Sequence, residues 1–152
     1  MTPEEKIRQL GLELPAAPEP VGAYVPAVRA AKMVSTSGQL PMREGKLIAT
    51  GKVPADVPLE TAQVAARQAV LNALAAVRGL TGSLDEVVRI VRANVFVNSA
   101  PGFTDQAQVA NGASELLIGV FGEAGRHTRC AIGASALPLN APVEIDLVVE
   151  VR

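Results

Sequence analysis

Arg129 and Glu144 stand fifteen residues apart near the end of the chain, each inside a segment that otherwise reads as an apolar strand. Charges in such segments call for partners, because an unpaired buried charge is costly. Two readings fit. One is a cross-strand ion pair that pins the register of a hairpin. The other is an arginine that holds a carboxylate through two parallel hydrogen bonds, facing a glutamate that serves as a base. The only histidine, His127, and the only cysteine, Cys130, flank Arg129. Strand alternation puts His127, Arg129, Ala131 and Gly133 on one face and Cys130 and Ile132 on the other. A Cys-His dyad is therefore disfavoured, and Cys130 reads as a small core residue. One His and one Cys without clustered partners make neither a metal site nor an intramolecular disulfide, so no metal is expected.

The elements that would position these residues follow from local patterns. Thr2-Pro3-Glu4-Glu5 reads as a capping box opening a short helix to about residue 10, ended by Gly11. The Pro-rich LPAAPEPVG that follows reads as an extended linker. β-like runs occur around 24–28 and 32–37, and REGKLIATGKVP holds another before Pro54. Residues 59–80 carry Ala62, Ala66, Ala69, Val70, Ala73, Leu74 and Val77 at helical spacing, with Gly79 and Gly82 near the end. LDEVVRIVRANVFVNS reads as a central strand with Val91, Ala93, Val95 and Val97 on its apolar face. A second long helix starts at Thr104 or Asp105 and buries Val109, Leu116 and Val120, with Gly112 weakening its middle. The final strands, 128–136 and 143–151, are joined by LPLNAP, and that turn is expected to bring Glu144 near Arg129 on an adjacent strand.

At 152 residues, one domain is the expectation: an N-terminal helix and Pro-rich linker over 1–20, then a single folded unit over 21–152. One Tyr and three Phe leave the core to Val, Leu, Ile and Ala and offer few stacking platforms. Basic and acidic residues are interspersed to a net charge of −1, so the clustered basic face that nucleic acid requires is missing. The longest uncharged run, 130–143, is too short and too broken by Pro and Gly to span a bilayer. The N-terminus is polar and mixed in charge, unlike a signal peptide. The expectation is a soluble, cytoplasmic protein that binds neither nucleic acid nor membrane.

The order strands, helix, strand, helix, strands implies an α+β fold. Right-handed crossovers put both long helices on one side of a mixed sheet. The other face then needs a cover, and a symmetric oligomer with sites between subunits supplies one.

AYV at 23–25, STSGQLP at 35–41, RANVFV at 92–97 and above all RCAIGASALPLNAPVEID at 129–146 resemble the YjgF family of reactive-intermediate deaminases, also labelled L-PSP endoribonucleases. The likeness runs from residue 21 to the C-terminus. It implies a chorismate-mutase-like fold, a homotrimer and three clefts between subunits. It further implies hydrolysis of enamines and imines such as 2-aminoacrylate to 2-oxo acids and ammonia, without a cofactor. By that resemblance Arg129 holds the substrate carboxylate and Glu144 positions or activates water. Tyr24, Ser37, Gly38 and Asn111 line the pocket by the same match, and His127 is directed to the arginine's face. Ala131 stands where many family members carry cysteine. The N-terminal helix and GRHTR resemble a longer subgroup.

The chemistry suits these residues, because a protonated imine is already electrophilic. An anchored carboxylate, a placed water and a base are sufficient. The expected ligand is thus a small 2-imino or 2-oxo acid. Rival readings are a module that binds a 2-oxo acid without turnover and an endoribonuclease. The single histidine and sparse aromatics speak against the latter.

Overall fold

A computed structural model describes residues 1–19 and 22–152. The expected boundary at 20/21 lies outside the described residues. The chain forms helix α1 (Pro3–Gln9), strands β1 (Ala27–Ala30), β2 (Met33–Thr36), β3 (Met42–Arg43) and β4 (Lys46–Leu47), helix α2 (Leu59–Thr81), strand β5 (Val87–Asn98), helix α3 (Gln106–Phe121), and strands β6 (Thr128–Ala134) and β7 (Val143–Val151). Five strands make one mixed sheet in the order β1-β2-β7-β5-β6, parallel only between β5 and β6.

The α+β expectation holds, with two long helices on one face of the sheet. Val143, Ile145, Leu147, Val149 and Val151 of β7 are fully buried, with Ala93, Val95 and Val97 of β5 beside them. The intervening residues of β7 look out from the opposite face. Each large aliphatic removed from water here stabilises the fold by about 1.5–3 kcal/mol.

Several local expectations shift for identifiable reasons. The first strand begins at Ala27 instead of residue 24, because Pro26 has no N–H to give the ladder. The run before Pro54 is a two-residue hairpin turning at Glu44 and Gly45, both with positive φ, and then a loop. In β5 the register slips twice between Val87 and Arg92, so Ile90, not Val91, enters the core. Gly82 caps α2 in the left-handed conformation. Gly79 lies inside the helix, where a Cβ would press on the methyl of Ala17.

The largest correction concerns β6 and β7. They are not neighbours, because β5 lies between them. Arg129 pairs with Ala93, and Ala93 pairs with Leu147, so Arg129 shares the helix-facing side with that buried row. Glu144 lies three positions from Leu147, an odd number, and occupies the other face with Phe96 and Ile132. The expected approach of Glu144 to Arg129 does not occur within the chain, and neither does the ion pair. Cys130 falls on the open face with Asn94 and is exposed, so it is not a core residue. The Arg92 guanidinium donates to its sulfur at 3.1 Å.

Two features fix the ends of these elements. The capping box forms in full at α1, and Ile7 is fully buried against the main core. Beyond it, Arg78 at the end of α2 donates to the Pro15 carbonyl at 3.0 Å. At the far end of β5, the buried Asn98 carboxamide shares its Nδ2 between the Gly51 carbonyl, Asn140 Oδ1 and the Ala141 carbonyl and accepts from Lys52 Nζ at 2.9 Å. This pin holds the chain as it enters β7.

Gly112 is where α3 crosses α2 most closely. A Cβ there would overlap the Gln63 backbone carbonyl. Alanine would gain about 1 kcal/mol of intrinsic helix propensity but lose about 1–3 kcal/mol to overpacking. Gly112→Ala is therefore expected to lower the thermal midpoint, whereas a rise would mean that glycine merely weakens the helix.

Candidate active site

The expected site residues fall into two groups. The first is built on α3 and β6. Asn111 and Ser114 are three apart on α3 and so project from one side of the helix. Arg129 Nη1 donates to Asn111 Oδ1 at 2.8 Å and to Ser114 Oγ at 3.1 Å. His127 joins the same cluster, with Nε2 at 2.9 Å from Ser114 Oγ and Nδ1 at 2.7 Å from the Gly125 carbonyl. Both ring nitrogens are thereby occupied. His127, expected among the ligand-binding residues, thus engages the protein with both nitrogens.

Among the described residues Arg129 has no carboxylate partner. Among the described residues the single ion pair is Arg126–Glu123, on the surface. One nitrogen of the Arg129 fork is fixed by neutral oxygens, while Nη2 and Nε have no hydrogen-bond partner among the described residues. A half-buried guanidinium held in this way keeps a two-nitrogen edge whose geometry matches an anion of planar shape.

The second group surrounds Glu144. A Cβ on Gly38 would sit 2.9 Å from its Cδ, so a larger residue there would push the Glu144 side chain out of this position. Gln39 locks that segment in place by exchanging backbone hydrogen bonds with Ile145 at 2.8 and 3.0 Å. Ser37 Oγ donates to the Val25 carbonyl at 2.6 Å, which brings the backbone next to Tyr24 to the same edge and leaves the tyrosine exposed. Burial first, and then the negative charge of Asp146 two residues along the same face, push the Glu144 carboxyl above the usual carboxylate range. Asp146 itself accepts from Asn94 at 2.8 Å.

Arg129, Asn111 and His127 thus meet, as do Glu144, Gly38 and Ser37, but on opposite faces of the sheet. Ser114 was not among the expected site residues. Its signal was a hydroxyl in the buried stripe of α3, three residues after Asn111.

Comparison with known sequences decides the lineage. A family profile described as "YjgF/chorismate_mutase-like, putative endoribonuclease" matches residues 4–151. The chain belongs to the YjgF family. TCP17 of Trypanosoma cruzi is 44% identical to this YjgF-family chain over 147 residues, covering 96% of this chain and 92% of that protein. A 2-iminobutanoate/2-iminopropanoate deaminase of Dermatophagoides farinae is 28% identical, over 93% of this chain and 95% of that one. The crystal structure of Atu1372 from Agrobacterium tumefaciens superposes with a TM-score of 0.93 at 44% identity, covering 99% of this chain and 92% of its own. Against the family pattern, Ala131 falls on the helix side, partly buried against the core. Among the described residues no helix is long and apolar enough to cross a membrane.

The raised Glu144 pKa has a definite sign for stability. Ionisation is less favourable in the fold than in the unfolded chain, so the extra stability of the protonated form is present below the unfolded carboxylate range and lost as pH rises through the folded value. Glu144→Gln is expected to raise the thermal midpoint at neutral pH. The difference should vanish near about pH 3, where carboxyls are protonated in both states.

Proposed function

We propose that this protein hydrolyses small 2-imino acids, and enamines that tautomerise to them, to 2-oxo acids and ammonia in clefts between subunits of a homotrimer. The observation that carries the reading is the Arg129 guanidinium, fixed by Asn111 and Ser114 and lacking any carboxylate partner among the described residues. Such a fork suits the carboxylate of a 2-imino acid. The reading draws further support from the D. farinae relative, named as a deaminase of 2-iminobutanoate and 2-iminopropanoate.

In this mechanism Arg129 holds the carboxylate and sets the imine carbon in place. Glu144 takes a proton from water as its oxygen bonds to that carbon. The resulting carbinolamine then loses ammonia as its C–N bond breaks and the C=O bond forms. Iminium and water are converted to a 2-oxo acid and ammonium, with no net oxidation. A base with a raised pKa works well because it can also return the proton to the leaving nitrogen.

Since Arg129 and Glu144 occupy opposite faces, a working site combines Arg129 of one subunit with Glu144 of another. The open face offers the means of association: Ile132 is half exposed there, beside Phe96 and Cys130. Packing these against another copy removes apolar surface from water. Light scattering at micromolar concentration should give a trimeric mass, and a monomer would rule out a shared site.

Substitutions separate the two roles. Arg129→Ala should lose pyruvate binding and imine turnover together, by about 2–5 kcal/mol for a desolvated charged pair. Glu144→Gln should lower turnover by roughly 10²- to 10⁴-fold with affinity unchanged or improved, because a negative charge near a bound anion is gone. Turnover is read as ammonia released from freshly generated 2-aminoacrylate against a blank without protein. Binding that depends on Arg129 without any turnover would instead identify a 2-oxo acid-binding module.

A further inference from the structure

Ser114 and His127 form a hydrogen-bonded path to Arg129 in which chemistry dictates each donor and acceptor. The Gly125 carbonyl can only accept, so His127 Nδ1, 2.7 Å away, carries a proton. In the neutral ring Nε2 is then an acceptor, and Ser114 Oγ donates to it across 2.9 Å. Arg129 can only donate, so the Ser114 oxygen accepts from Nη1 at 3.1 Å. The order runs from guanidinium to hydroxyl to imidazole to backbone carbonyl, with one polarity throughout.

Two links of this path, Ser114 and the Gly125 carbonyl, rest on α3. Ser114 is a buried residue of that helix. Gly125 is packed so tightly that a Cβ would overlap the Leu117 backbone carbonyl. The hydroxyl is the one link whose proton can rotate. A serine inside a helix can turn that proton to the carbonyl one turn back, and its lone pairs turn with it. Nε2 of His127 removes that freedom by taking the proton, which directs a Ser114 lone pair at Arg129. With Asn111 holding the same nitrogen, the plane of the guanidinium is fixed.

We propose that Ser114 and His127 are positioning residues which, acting through one hydrogen-bonded path, hold the Arg129 guanidinium so that its Nη2–Nε edge faces the ligand carboxylate. This rests on Arg129 being the carboxylate anchor. His127 acts through Ser114 and does not touch the ligand.

Pyruvate binding is measured by calorimetry on the full chain and on Ser114→Ala, His127→Leu, their double variant, His127→Gln and Arg129→Ala, with thermal midpoints alongside. Ser114→Ala and His127→Leu should each weaken binding by about 3- to 10-fold, the range of one net hydrogen bond. The double variant should be no weaker than the weaker single, because both break the same path. His127→Gln should recover affinity by placing an amide oxygen where Nε2 accepts. Nitrogen-15 spectra of the sole imidazole should show the proton on Nδ1, with an Nε2 resonance that moves on adding pyruvate and stays still in Ser114→Ala. Should either variant fail to fold, the tautomer and its response in the unaltered protein decide. A proton on Nε2, additive losses in the double variant, no recovery with glutamine, or unchanged affinity in both singles while Arg129→Ala abolishes binding would overturn the path and leave the anchor standing. Absence of pyruvate binding, or binding indifferent to Arg129→Ala, would overturn the anchor and the path together.

Discussion

Strand β5 runs between β6 and β7, parallel to one and antiparallel to the other, and this placement governs what the molecule can do. Register carries Arg129 across Ala93 to Leu147, an odd step from Glu144, so the cation and the carboxylate face opposite ways. No rotamer corrects a difference of parity. Each half is therefore completed by its own neighbours: Arg129 by polar residues of α3, Glu144 by the passing backbone at Gly38. In neither half does the charged group meet an opposite charge among the described residues, which leaves its own charge uncompensated.

Much of the architecture was legible because it depends on short-range patterns. The capping box at Thr2, the alternation along β7 and the helical spacing of α2 and α3 are each contained in one segment, and each appears in the fold. Alternation also assigned Arg129 and Cys130 to opposite faces correctly. What alternation lacks is the identity of the neighbouring strand. Two strands joined by a short connection read as a hairpin, and only the insertion of β5 shows that they are not. The same gap misplaced Cys130: its face was right, but which face the helices cover was not contained in the segment. The slip at Ile90 was hidden for a related reason, since β-branched residues fill both candidate faces of that stretch.

The candidate site shows the same division. Arg129 and Glu144 stood out as charges in apolar strands, and Asn111, Ser37 and Gly38 came through the resemblance. Ser114 did not, because a serine within an alanine- and leucine-rich helix gives no sign of its partner until β6 is laid beside it. Gly112 was readable as a weak helix former and not as a point of contact, since the Gln63 carbonyl it accommodates belongs to another helix. Interactions between elements distant in sequence were the part that local pattern could not supply.

Asn98 gives the region around Glu144 a property of its own. The loops leading into β7 are tied by a carboxamide to backbone carbonyls, another carboxamide and a lysine amine. Neither a carboxamide nor a peptide carbonyl gains or loses a proton in the range where a carboxyl does. The mounting thus stays indifferent to the protonation of the group it carries. A carboxyl that gains or loses its proton there does so against a fixed frame, with no rearrangement of the loop required.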